Sequence, residues 1–216
     1  MPPKQTAKVV LIGDSGVGKS TILSSYRGER FNPCYVQTRE REIKHAIVQV
    51  GKVSIDLQIW DTPGNDNCRT ITAAYMQEDV KGIIVVFDVT SDDSYFNVQH
   101  WIKTVKQFAG TENVKFVFVG NKNDMSEWGR KVSQESGEHL ARQHNGVYID
   151  ASAKTKHNID QIFKKMAESI LNVELDMHST STRESEVDDL SQSNGGVGEG
   201  GGNEGRGGGG FRCTVL

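Results

Sequence analysis

Apolar and polar positions follow two alternating patterns between residues 7 and 171. Six short segments have the β-branched content or the two-residue period of strands: Ala7–Ile12, Ile43–Val50, Val53–Trp60, Gly82–Asp88, Lys115–Gly120 and Gly146–Asp150. Five segments between them have the apolar period of helices: Lys19–Tyr26, Arg69–Gln77, Ser94–Phe108, Ser133–His144 and Ile159–Leu171. The alternation predicts an α/β fold with a six-stranded, mostly parallel sheet and helices on both faces. A turn at Gly51 and Lys52 predicts one antiparallel hairpin at its edge.

The periodic pattern ends well before the chain does. From about Glu174 to Phe211 the chain is polar and Gly-rich, and 11 of the 23 glycines fall between Gly195 and Gly210. Such a segment buries too little apolar surface to form a core, so we predict a disordered tail. The expected organisation is one domain at residues 1–173, a Ser/Glu- and Gly-rich tail at 174–212, and a short C-terminal motif at 213–216.

Composition and charge exclude several classes of protein. With 36% apolar and 25% charged residues, the chain fits one globular domain and a tail. A net charge of -3 gives no broad positive field, which argues against a nucleic-acid partner. The apolar runs are far shorter than the roughly 20 residues of a membrane span, and the first eight residues lack the apolar centre of a secretory signal. Three scattered cysteines favour a reducing compartment over a disulfide framework or a zinc site.

Ligands of parallel α/β sheets bind at the carboxyl ends of the strands. The loop after the first strand, GDSGVGKS at residues 13–20, fits the pattern G-x-x-x-x-G-K-[ST] of a phosphate-binding loop and predicts the fold of a P-loop NTPase. Backbone N–H groups would bind phosphate oxygens, Lys19 would add a charge at the β- and γ-phosphates, and Ser20 would ligate Mg²⁺. A Gly-rich turn before a surface helix is the alternative. The nucleotide-binding residues predicted here are Asp14, Ser15, Gly16, Val17, Gly18, Lys19, Ser20 and Thr21.

Three more polar loops follow the third, fifth and sixth predicted strands. In DTPG at residues 61–64, Asp61 would hold the metal through water and Gly64 would donate its N–H to the terminal phosphate. In NKND at residues 121–124, Asp124 can accept hydrogen bonds from N1–H and the exocyclic amine of guanine, a pattern that adenine lacks. In SAK at residues 152–154, a backbone N–H would reach the guanine O6. The four loops together predict GTP over ATP, with Gly64, Asn121, Lys122, Asp124, Ser152, Ala153 and Lys154 as further nucleotide-binding residues.

These segments, together with LQIWDTPG and RTITAAY, make the chain resemble the small GTPases of the Ras superfamily and, within it, the Rab family. The resemblance covers about Ala7 to Leu171. It implies a switch between GTP- and GDP-bound forms that hydrolyses GTP and regulates vesicle traffic. It also implies an exchange factor, a GTPase-activating protein, effectors and a lipid-shielding chaperone as partners, and a monomeric protein.

The resemblance assigns roles to further residues. Thr38 matches the first-switch threonine that ligates Mg²⁺, although a solvated loop threonine is the alternative. Phe31 matches the aromatic residue that packs edge-on against guanine, with core packing as its alternative. The expected metal ligands are thus Ser20, Thr38 and Asp61. The expected catalytic residues are Lys19, Gly64 and Asn65, the last at the position of the family's water-positioning glutamine.

The chain departs from the Rab pattern in both switch segments. Asn65 keeps the amide of glutamine on an arm shorter by one methylene, which predicts slow unaided hydrolysis, unless a shifted loop restores its reach. Pro63 replaces alanine and should stiffen the start of the second switch. Glu40 replaces a glycine after Thr38, and Ile43 replaces the phenylalanine of the effector-facing triad, so the usual Rab effectors should bind poorly. Ile43 packed against neighbouring strand residues is the alternative.

The chain ends in Cys213-Thr214-Val215-Leu216, a C-a-a-X motif whose leucine favours geranylgeranylation of Cys213. Neither a polybasic run nor a second cysteine accompanies it, and a single lipid gives only reversible membrane binding. We therefore expect the protein at the cytoplasmic face of an intracellular membrane, in exchange with the cytosol.

Two rival functions remain at this point. One is a GTP-binding membrane adaptor with negligible hydrolysis, which Asn65 and Pro63 favour. The other is a small-molecule kinase on the same phosphate-binding loop, which the NKND and SAK loops argue against.

Overall fold

Six strands form one sheet in the computed structural model, which describes residues 5–34, 38, 42–64, 79–109, 113–125 and 129–172. The strands are β1 (Gln5–Ile12), β2 (Glu42–Val50), β3 (Val53–Asp61), β4 (Val80–Asp88), β5 (Lys115–Asn121) and β6 (Val147–Asp150). Their order is β2-β3-β1-β4-β5-β6, and β2 runs antiparallel to β3 while the other neighbours are parallel. The prediction of a mostly parallel sheet with one edge hairpin is confirmed.

The helices of the described residues lie between these strands and after them. They are α1 (Lys19–Tyr26), α2 (Asp92–Phe96), α3 (Val98–Phe108), α4 (Gln134–Gln143) and α5 (residues 159–172), with one 3₁₀ turn at Asn123–Met125. The predicted helix Ser94–Phe108 was wrong in one respect, because the structure has two helices that meet at Asn97. Ser91 begins the first of them, accepting a hydrogen bond from the Ser94 N–H. Asparagine favours helix ends because its side-chain amide forms hydrogen bonds that compete with those of the helix backbone. Here the Asn97 amide donates a hydrogen bond to the Asp14 carboxylate.

Two predicted elements cannot be compared with the structure. The expected helix Arg69–Gln77 and the tail from residue 174 lie outside the described residues. Among the residues that are described, no helix is both long and apolar enough to cross a bilayer.

The sheet buries a separate core against helices on each of its faces. On one face, Leu11 and Ile84 belong to a cluster with Ile22 of α1 and Phe163 of α5. The other face packs against α3 and α4, where Trp101 is fully buried. Two buried faces explain why the central strands read as continuous apolar runs.

Parallel pairing brings the carboxyl ends of five strands to one edge of the sheet. The register places Leu11 beside Asp61, and Asp88 beside Asn121, while Gly120 lies beside Asp150. The loops that follow these strand ends therefore lie next to one another, as the sequence predicts.

Candidate functional site

A cavity of about 490 Å³ lies at this edge of the sheet, within the described part of the chain. The loops after β1, β3, β5 and β6 all contribute to its lining. Of the residues predicted to bind nucleotide or metal, the cavity brings together Ser15, Gly16, Gly18, Lys19, Ser20, Thr21, Phe31, Thr38, Gly64, Asn121, Lys122, Asp124, Ala153 and Lys154.

Gly18 ends the phosphate-binding loop in a conformation that favours glycine. Its φ is +98°, and a Cβ here would overlap the side-chain amide of Asn121. Helix α1 follows directly, without a side-chain hydrogen bond at its N-terminal cap. The first N–H groups of α1 are thus available to an anion, as in other helix N-termini that bind phosphate.

Lys19 is the buried cation of this loop, only 6% exposed. Its Nζ donates hydrogen bonds to the carbonyl oxygens of Gly13 and Asp14, each at 2.8 Å. Burial lowers the pKa of Lys19 to about 8, although Asp61 and Asp14 oppose this change. A phosphate beside the ammonium would favour its charged form further.

Three side-chain oxygens converge between the phosphate-binding loop and β3. The Ser20 hydroxyl lies 2.9 Å from the Thr38 hydroxyl and donates to Asp61 Oδ2 at 2.5 Å. Asp61 is fully buried, and its Oδ1 has no hydrogen-bond partner among the described residues. Burial raises the pKa of Asp61, with Ser20 and Lys19 opposing. The cluster consists of oxygen donors with one buried carboxylate, a set that suits Mg²⁺.

The turn after β3 is fixed to the end of β1, just before the phosphate-binding loop. Thr62 is buried and donates its hydroxyl hydrogen to the Leu11 carbonyl oxygen at 2.6 Å, and Pro63 is buried beside it. Gly64 lines the cavity, and a Cβ at this position would overlap Lys19 Nζ. Glycine is thus required where this turn approaches the lysine.

Asn121 joins three of the loops through one side chain. Its Nδ2 donates to the Val17 carbonyl oxygen at 2.8 Å, and its Oδ1 accepts from the Ala153 N–H at 3.1 Å. The residue is 2% exposed. This amide therefore holds the phosphate-binding loop and the loop after β6 to the end of β5.

Lys122 is held in a left-handed backbone conformation, with φ of 67°. Its Nζ forms an ion pair with Asp88 Oδ2 at 2.6 Å, and Thr90 donates to the other carboxylate oxygen. Burial alone would raise the pKa of Asp88, but the hydrogen bonds from Lys122 and Thr90 outweigh it and hold that pKa below its usual value. The lysine stem is thus anchored where it lines the cavity.

Asp124 is positioned by the loop after β6. Its Oδ1 accepts a hydrogen bond from the Ser152 hydroxyl at 2.7 Å, and its Oδ2 lies 3.5 Å from Lys154 Nζ. Ser152 also accepts from the Thr155 N–H at 3.1 Å, which orients its hydroxyl hydrogen toward the carboxylate. The carboxylate stays partly exposed at the cavity, where it can accept hydrogen bonds from a ligand.

Phe31 is 44% exposed and lines the cavity, so core packing does not describe it. Sequence reasoning missed five other lining residues: Asn32, Pro33, Cys34, Thr90 and Met125. Their closeness in sequence to Phe31, Asp88 and Asp124 was the one available signal. It is a weak signal because none of the five belongs to a motif, and their place in the cavity depends on the paths of the loops.

Three residues predicted to contact nucleotide are absent from the cavity lining, and their side chains have other partners. The Asp14 carboxylate turns away to bond Asn97 and Trp101. Val17 is buried in the core. Ser152 lies behind Asp124 and acts on it through the hydrogen bond described above. Each belongs to a binding loop, but the fold uses these side chains to support it.

Other predicted residues lie outside the described part of the chain. They are Glu40, Asn65 and Cys213. Within the described part, Ile43 is 43% exposed and pairs with Trp60 across β2 and β3. Exposure argues against the alternative that Ile43 is a packed strand residue.

The fold and the cavity define a nucleotide-binding protein of the P-loop class. The Ras family model matches residues 8–172, and the chain belongs to this family. It is similar to Ras-related protein Rab-13 of Rattus norvegicus, with 40% identity over 164 residues that cover 76% of this chain and 79% of the relative. It is similar also to SEC4 of Candida albicans, at 41% over 163 residues (76% of each chain). RABE1e of Arabidopsis thaliana is 39% identical over 163 residues, which are 76% of this chain and 74% of the relative.

The chain is therefore a Rab-like small GTPase. It binds GTP and GDP, hydrolyses GTP, and regulates vesicle traffic together with regulators and effectors. The predicted class is confirmed, and neither the adaptor nor the kinase alternative is favoured.

Proposed function

We propose that GTP and GDP bind in the 490 Å³ cavity with Mg²⁺, and that unaided GTP hydrolysis there is slow. The observation that carries the proposal is the meeting of Lys19, Ser20 and Asp124 in one cavity. A buried ammonium at one end suits phosphates, and a supported carboxylate at the other suits the N1–H and amine of guanine. Phe31 would then contact the edge of the base.

The oxygen cluster of Ser20, Thr38 and Asp61 fits Mg²⁺. The hydroxyl of Ser20 already lies within hydrogen-bond distance of both partners. The Oδ1 of Asp61 has no hydrogen-bond partner among the described residues, which leaves capacity for a cation or its water. When bound, the metal would neutralise charge on the β- and γ-phosphate oxygens.

The reaction is in-line attack of water on the γ-phosphate, which releases GDP and phosphate. Lys19 and the N–H groups of the phosphate-binding loop stabilise the charge of the transferred group. Gly64 donates its N–H to the γ-phosphate. Asn65 orients the water but has a shorter arm than glutamine, which makes it a weak guide.

The test is the nucleotide that survives purification of the full-length chain. After denaturation, chromatography should show guanine nucleotide in about equal molar amount to the protein. A protein without nucleotide that also shows no preference for GTP over ATP in magnesium would contradict the proposal.

Asn65→Gln should speed single-turnover hydrolysis about tenfold. The longer arm brings the amide within hydrogen-bond reach of the attacking water, and a positioned group of this kind contributes about 10²–10⁴-fold in enzymes. Phosphate release from preloaded GTP gives the rate.

Asn67→Gln is the matched control, since it adds the same methylene two residues further along. It should leave the rate unchanged. An unaltered rate for Asn65→Gln would show that Asn65 already reaches the water or takes no part.

We also propose a geranylgeranyl anchor at Cys213, at the end of the Gly-rich tail. One lipid without a polybasic run binds reversibly, so the protein exchanges between cytosol and the cytoplasmic face of a membrane with a lipid-shielding chaperone. Exchange factor and activating protein act on the monomer. Glu40 and the exposed Ile43 favour effectors that differ from those of other Rab proteins.

Cys213→Ser should move the protein from the membrane pellet to the soluble fraction of fractionated cells. The substitution removes the lipid and leaves the GTPase domain unchanged. Cys68→Ser, the matched control, should sediment as the unaltered chain does. A Cys213→Ser protein that still sediments with membranes would disprove the anchor.

A further inference from the structure

The carboxylate of Asp14 is bound by two residues of the α2–α3 segment. Its Oδ2 accepts a hydrogen bond from Asn97 Nδ2, and its Oδ1 accepts one from Trp101 Nε1, both at 2.8 Å. We propose that these three residues form a brace that holds the phosphate-binding loop in its binding conformation and so lengthens the residence time of the nucleotide. The inference rests on the proposed nucleotide site and deepens it.

The brace is anchored in the core on its α3 side. Trp101 is fully buried, and a buried indole N–H requires a hydrogen-bond partner. Asn97 lies at the junction of the two helices, and its backbone carbonyl oxygen accepts a hydrogen bond from the backbone N–H of Trp101. The carboxylate thus lies at the N-terminal turn of α3, where the helix dipole favours a negative charge.

The other side of the brace is the main chain that surrounds the lysine. The Asp14 carbonyl oxygen accepts a hydrogen bond from Lys19 Nζ at 2.8 Å. A Cβ at Gly64 would overlap the same carbonyl group. Asp14 is therefore a single residue that contacts both sides of the loop. Its carboxylate is held by α3, and its carbonyl group contacts Lys19 and lies against the turn after β3.

A fixed loop retains nucleotide better than a loose one. Binding to a preorganised loop does not have to order its backbone first, so the free-energy cost of binding is smaller. Loss of the brace frees the loop to leave its binding geometry, which opens a path for release. Asp14, Asn97 and Trp101 are positioning residues, because none of the three lines the cavity.

The experiment measures release of fluorescent GDP from the full-length protein into excess unlabelled GDP. Asn97→Ala should speed release about tenfold, the effect of losing one hydrogen bond to a charged group, and Asp14→Ala should speed it more, because it loses two. In the double variant, the increase in the release rate should be much smaller than the product of the two single increases. The reason is that both substitutions remove the same hydrogen bond, the one between Asn97 and Asp14. Asp14→Asn keeps an acceptor for Trp101 and should restore most of the residence time.

Val105→Ala is the control for a purely structural role. Val105 is buried in α3 and touches the same core, so its truncation lowers thermal stability without altering the brace. Its GDP release should match that of the unaltered chain. If Asp14→Ala does not fold, the partly exposed Asn97 still provides the measurement.

Two outcomes separate failure of the brace from failure of the site. Unchanged GDP release in Asn97→Ala, or in a folded Asp14→Ala of reduced thermal stability, would overturn the brace while leaving the nucleotide site intact. An unaltered chain that binds no fluorescent GDP would overturn the proposed function itself and the brace with it.

Discussion

Lys19→Met is expected to weaken GTP binding by about a hundredfold to a thousandfold. The ammonium is the buried cation at the phosphate end of the cavity, and hydrogen bonds to charged groups contribute about 1.5–3 kcal/mol each. Equilibrium titration with a fluorescent GTP analogue measures the loss.

The same variant should alter the pH dependence of folding. The pKa of Lys19 is about 8 in the folded protein against 10.5 ordinarily, so the unfolded chain binds more protons between these values. The stability of the nucleotide-free chain should gain about 3 kcal/mol from this group as the pH rises through that window. Lys19→Met should lack this gain, which denaturant titrations at pH 7.5 and 10.5 would detect.

Lys103→Met provides the comparison for both measurements. Lys103 is an exposed lysine of α3, away from the cavity. It should retain GTP affinity and the pH-dependent gain. Equal GTP affinity in the Lys19→Met protein would contradict the placement of the phosphates beside this ammonium.

Asp124→Ala is expected to lower GTP affinity by about a thousandfold. It removes two charge-assisted hydrogen bonds to guanine, worth about 1.5–3 kcal/mol each. Inosine triphosphate lacks the exocyclic amine, so the unaltered chain should prefer GTP over it, and the variant should lose that preference. Competition between the two nucleotides measures the ratio.

Asp160→Ala serves as the control for this change of charge. Asp160 is an exposed residue of α5 and should leave both the affinity and the ratio unchanged. An Asp124→Ala protein that still discriminates GTP from inosine triphosphate would place the base elsewhere.

Local pattern predicts the sheet and the four loops because both depend on residues close in sequence. The apolar runs of β4 and β5 need only their own composition to be identified as buried strands. The glycines and the lysine of residues 13–20 have a spacing that few other structures require. The order of the loops around the cavity then follows from parallel pairing.

Contacts between distant residues explain what the sequence does not predict. Asp14 was expected at the nucleotide, but its carboxylate bonds Asn97 and Trp101, which are 83 and 87 residues away. Asn97, which donates one of these hydrogen bonds, is also the residue at which the predicted helix is divided into α2 and α3. Cys34 and Met125 reach the cavity through the paths of their loops, which no local pattern encodes.

The single amide of Asn121 ties the grip on phosphate to the recognition of the base. Because it bonds Val17 on one side and Ala153 on the other, neither loop can move without disturbing its counterpart. Nucleotide release should then require both loops to open together. A regulator that displaces either loop would therefore release the whole nucleotide.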